Sequence, residues 1–184
     1  MLRPLAFCLC LLPAPVLADE IEEALSAALE AYQTGDTTFA LEELDFARAK
    51  LQEMKADALI GFLPPAPEGW RQEIDEDMAI GLGMMGGGAG ASASYYPEGG
   101  GSAVTITLMA DNPMVAGMAA MVANAGAMGA SIERVNRQQF AAQDDQMMAM
   151  VANRILVQAE GGSPERLIPF LEAMDFRALA SWGL

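Results

Sequence analysis

The hydrophobic period changes once along this chain, and that change sets the order in which its parts can fold. From Ile21 to about Ala58 apolar residues recur every three or four positions, which places them on one face of a helix. Beyond Trp70 they alternate, as they do along a strand with one buried face. The expected fold class is α+β: an N-terminal antiparallel helical hairpin over residues 19–60, then a small antiparallel-sheet domain with two helices over 70–184.

Within the hairpin, Ile21, Leu25, Ala28 and Tyr32 step by four, three and four, and Gly35 stops the first helix. Asp36 or Thr37 caps the second. Its seam is expected to run through Ala40, Leu44, Ala47, Leu51, Met54 and Ala58. The stretch "YQTGDTTFALEELDFARA" resembles a single tetratricopeptide repeat, because Gly35, Asp36, Ala40, Leu44 and Ala47 stand where that family places its turn and small packing residues. The resemblance covers residues 24–57 and implies a helix-turn-helix suited to contact with another protein. No second copy follows, so the family's concave peptide groove is not implied.

"GFLPPAPEGW" then interrupts the helical pattern with three prolines in four positions, and a linker is expected over residues 61–69. After it, "AVTITLMAD" puts Val104, Ile106 and Leu108 on one face and Thr105, Thr107 and Met109 on the other. Residues 91–96 alternate in the same way, and Pro97 to Ser102 supply the turn of a hairpin. Asn112-Pro113 opens a helix with Asn as cap and Pro at its first position, and Ser163-Pro164 repeats the device. Residues 132–140 and 146–159 read as further strands, giving the order strand, strand, strand, helix, strand, strand, helix, with both helices expected on one face. This order resembles the small Mog1/PsbP-like and lipoprotein-carrier-like domains of exported proteins over residues 69–184. It implies a fold and assigns no functional residue.

The first 18 residues have the anatomy of a secretory signal peptide: Arg3, then the apolar "LAFCLCLLPAPVLA", then Val16-Leu17-Ala18 before Asp19. Cleavage after Ala18 leaves an exported, soluble chain destined for the periplasm or secretion, with 25 acidic and 9 basic side chains, net −16. No later segment reads as a membrane span. The leader takes both cysteines with it, and the chain has no histidine. Cysteine nucleophiles, histidine bases and zinc sites of His and Cys are thereby excluded, and the acidity argues against nucleic acid as a partner. Asp75-Glu76-Asp77 and Asp144-Asp145 fall between predicted elements and lack calcium-loop spacing, so they are assigned to solvated turns. No catalytic, cofactor or metal residue is assigned, no cofactor is expected, and the chain is read as a non-enzyme.

What stands out is "AIGLGMMGGGAGASAS", residues 79–94, with six glycines and paired methionines. A phosphate loop would need a helix after it and a lysine, but a strand follows and no lysine occurs beyond Lys55. The glycines are expected to mark a closely packed bend or a loop over an apolar cleft, with Met84, Met85, Met114 and Met118 as its candidate lining. The function expected first is an accessory protein that binds a protein partner through its hairpin. A carrier or sensor of an apolar small molecule or lipid is the alternative, and copper handling by thioethers is the third.

Overall fold

The computed structural model describes residues 16–78, 81, 82 and 87–183, so Met84 and Met85 lie outside the described residues. The chain divides into two compact units, with the division after Lys50. The proline-rich segment 61–69 therefore belongs to the second unit.

In the first unit, α1 (Val16–Thr34) is followed after only Gly35 and Asp36 by the start of α2 (Thr37–Ile60), whose residues from Leu51 on belong to the second unit. Gly35 takes φ +87°, and its N–H donates to the Tyr32 carbonyl at 3.2 Å, closing the helix as a left-handed glycine does. Asp36 caps α2, its Oδ1 accepting from the Phe39 N–H at 3.1 Å. Lys50 Nζ lies 3.6 Å from Glu20 Oε2, bridging the two antiparallel helices far from their turn.

The buried face of α1 and α2 keeps Ile21, Ala28, Ala40 and Ala47 of the expected seam but not its larger residues. Ile21, Ala24, Ala28, Ala31, Ala40 and Ala47 are buried, whereas Leu25, Tyr32, Leu44, Leu51 and Met54 are exposed and Ala58 is exposed with them. The physical reason is the short connection. A two-residue link holds the helix axes close, and at that distance a methyl group fits where a leucine would wedge them apart.

The second unit is built on one seven-stranded antiparallel sheet in the order β1-β2-β3-β7-β6-β5-β4. Its strands are β1 (Trp70–Ile74), β2 (Ala89–Pro97), β3 (Val104–Ala110), β4 (Ser131–Val135), β5 (Gln138–Gln143), β6 (Gln146–Val151) and β7 (Ile155–Glu160). Two segments read from sequence as single strands are each a hairpin. Asn136-Arg137 and Ala152-Asn153 have positive φ at both positions, the geometry of the tight turn that matches strand twist.

One face of the sheet carries Ala91, Ala93, Tyr95, Ile106, Leu108, Val157, Ala149 and Phe140. It is covered by α4 (Pro164–Glu172) and α5 (Phe176–Ala180) through Leu167, Phe170, Leu171 and Leu179, with Leu59 and Leu63 in the same core. Each fully buried leucine or isoleucine here contributes on the order of 2 kcal/mol. Tyr95 is sealed in this core, its hydroxyl donating to the Pro64 carbonyl at 2.6 Å. Burial raises its pKa well above the usual phenol value, only partly opposed by the hydrogen bond from Gln72.

The opposite face is split. Its polar half pairs Ser92 with Thr107 at 3.2 Å and Ser94 with Thr105 at 3.3 Å across β2 and β3. Its apolar half, with Met148 and Ala141 in register on β6 and β5, lies under α3 (Pro113–Asn124) and the 3₁₀ turn Ala125–Met128. The helices thus cover both faces instead of one. Asn112 begins α3 as expected, its Oδ1 accepting from the Met114 N–H at 2.8 Å.

Candidate functional site

The exposed large side chains of the hairpin are arranged as a groove. Leu25, Leu29 and Tyr32 of α1 face Leu41 and Leu44 of α2 across a floor of Ala28, Thr37 and Ala40, in an open groove of about 420 Å³. Nothing charged lines it. Leu29 is 57% exposed, Leu41 64% and Tyr32 69%, and Phe39 and Phe46 are exposed beside them. An isolated exposed leucine needs no explanation, but a contiguous patch of this kind marks a contact surface.

Carboxylates frame the groove. Residues 19–50 hold nine acidic and two basic side chains, net −7. Glu22 is one helical turn from Leu25, Asp45 one turn from Leu41, and Asp36 is next to Thr37. The nearest basic residues, Arg48 and Lys50, already face Asp45 at 3.4 Å and Glu20 at 3.6 Å. The surface is therefore apolar in the middle and negative at the rim. The signal for it in the sequence was the alanine spacing 24, 28, 31, which marks the close seam and by elimination pushes the leucines outward.

Of the candidate cleft residues, Met84 and Met85 lie outside the described residues. Met114, on α3, is 43% exposed and Met118 is half-buried. The methionines that share a cavity are others: Met121, Met128 and Met148, around about 140 Å³ between α3, the 3₁₀ turn and the β5–β6 hairpin. Periodicity could not link them, because a strand and a helix end contribute to one space.

The glycine stretch is explained in part by close approach. Asn112 donates from Nδ2 to the Gly87 carbonyl, and a Cβ on Gly88 would lie 2.8 Å from the Ala110 carbonyl oxygen. Gly90 would collide with Leu82, whose side chain packs on the β2 backbone there.

The acidic clusters stay apart from these features. Glu73, Asp75, Glu76 and Asp77 edge an open hollow of about 490 Å³ by β1, where Asp75 Oδ1 accepts from the Asp77 N–H at 3.0 Å. Among the described residues, no three of His, Cys, Asp and Glu are grouped so as to hold a metal ion. Among them too, no helix is long and apolar enough to cross a membrane. Compared with family models, with curated proteins and with solved structures, the chain matches none.

Proposed function

We propose that this is an exported, non-enzymatic interaction protein whose helical hairpin receives an amphipathic helix of a partner protein, apolar on one side and basic along its margins. The carrying observation is the groove between Leu25, Leu29 and Tyr32 and Leu41 and Leu44, uncharged inside and bordered by carboxylates. Two close helices with outward leucines offer ridges at the spacing a third helix fills with its own i, i+3, i+4 and i+7 side chains. Lysines or arginines flanking those anchors meet Glu22, Asp36 and Asp45, which favours the encounter and sets the helix direction. A carrier of a small apolar molecule needs an enclosed space of about 300 Å³ or more. The Met121–Met128–Met148 cavity is smaller, at about 140 Å³.

The test uses two fluorescent model helices with one leucine face, flanked by lysines in one and by glutamates in the other. The lysine helix is expected to bind and to lose most of its affinity against Leu29→Ser and Leu41→Ser. Absence of binding, or equal binding of both helices, rejects the reading.

A further inference from the structure

We propose that Met121, Met128 and Met148 form a binding site for a soft monovalent cation, Cu(I) by chemical class. The proposal does not depend on the hairpin groove. Three thioether side chains line one small cavity, two from the end of α3 and its 3₁₀ turn and one from β6. Met121 lies on α3 and Met128 ends the 3₁₀ turn that follows it, and both line the same cavity. Met148 rises toward them from the strand, and its cross-strand neighbour is the small Ala141. Ala125, Ala130 and Ala141 leave the centre of this space unfilled.

Ordinary core filling does not account for these side chains. A methionine that plugs a gap in a core is buried, whereas Met128 is 68% and Met121 44% exposed. All three line a cavity that solvent reaches. The donor set also discriminates. Apart from the thioethers, the only polar side chains at the cavity are the carboxamides of Gln143 and Gln146, and no carboxylate or cation lines it. Calcium and magnesium demand several oxygen ligands. Zinc favours thiolate and imidazole, and outside residues 1–18 the sequence has neither. Thioethers select soft Cu(I). The high negative charge of the chain raises the local concentration of any cation.

The experiment titrates the purified protein with silver(I), a redox-inert stand-in for Cu(I), and follows methionine methyl resonances and bound mass. One ion per chain is expected, with the ε-methyl signals of Met121, Met128 and Met148 shifting together. Met121→Leu, Met128→Leu and Met148→Leu should each weaken silver binding by at least the about tenfold that loss of even an outer-sphere contact costs a metal site. Met114→Leu should leave it unchanged. The proposal is overturned if no stoichiometric silver binds, if other methionine signals shift instead, or if the triple leucine variant keeps its affinity. The methyl shifts are read on the unaltered protein, so the outcome stands even if a variant folds poorly.

Discussion

A Cβ placed on Gly88 would come within 2.9 Å of the Asn112 Cβ, so the backbone before β2 and the cap of α3 occupy nearly the same space. Gly88 also has φ +109°, where a side chain is strained whatever room it has. Gly88→Ala is expected to destabilise the protein by about 2 kcal/mol or more, seen as a lower denaturant midpoint. Gly117 in α3 has nothing within 4 Å of its missing Cβ and ordinary helical geometry. Gly117→Ala should therefore stabilise, by about 0.5–1 kcal/mol. Opposite signs for the two glycines are the outcome to check.

The hairpin has its small residues inside and its large ones outside. Ala28→Leu places extra volume in a buried seam and should cost about 1–3 kcal/mol. Leu29→Ser, one residue along and 57% exposed, should change stability by no more than about 0.5 kcal/mol. Thermal melts of the two variants decide it, and the reverse ranking would show that the leucine face is the packed one.

Tyr95 makes stability fall at alkaline pH. Its folded pKa is raised by burial while the unfolded phenol titrates near its usual value of 10.0. The sign follows from linkage: above that pH the unfolded chain loses its proton first, so the folded state is fully favoured below about pH 10 and loses that advantage as pH rises further. Tyr95→Phe should flatten this alkaline limb and lower stability at neutral pH by about 1 kcal/mol through the lost bond to Pro64. Denaturation midpoints from pH 8 to 11 give both readings.

Trp182 closes the second unit. Its buried indole has Lys55 Nζ at 5.2 Å and the Arg154 guanidinium at 5.5 Å from the ring centre, and both cations pair with Asp111. Trp182→Ala is expected to cost about 3 kcal/mol, mostly as lost apolar burial. Asp111→Asn keeps a residue that tolerates the local φ of +55° and removes only the partly exposed ion pairs, so about 1 kcal/mol or less, fading with salt. A larger loss for Asp111→Asn than for Trp182→Ala would reverse the assignment of what holds the C-terminal tail.

Local chemistry made much of this legible in advance. Gly35, Asp36, Asn112-Pro113 and Pro164 fix helix ends because their effect reaches only a turn along the chain, while the Ser163 side chain makes no capping bond; the alternation in Val104 to Met109 fixes a strand for the same reason. The turns at Asn136-Arg137 and Ala152-Asn153 were harder to see. Both turns need only two successive residues in left-handed backbone, and apart from the asparagines nothing there announces it.

The sequence by itself determined where helices and strands begin, that the sheet is antiparallel, and that residues 19–184 have no thiol or imidazole. Tertiary structure alone decided which of two interleaved stripes on α1 and α2 is buried, on which sides of the sheet the helices lie, and which methionines share a cavity. The physical reason is one of range. Capping, turn and period act within a few residues, whereas burial depends on how closely two backbones approach, and residues far apart in the chain set that distance together.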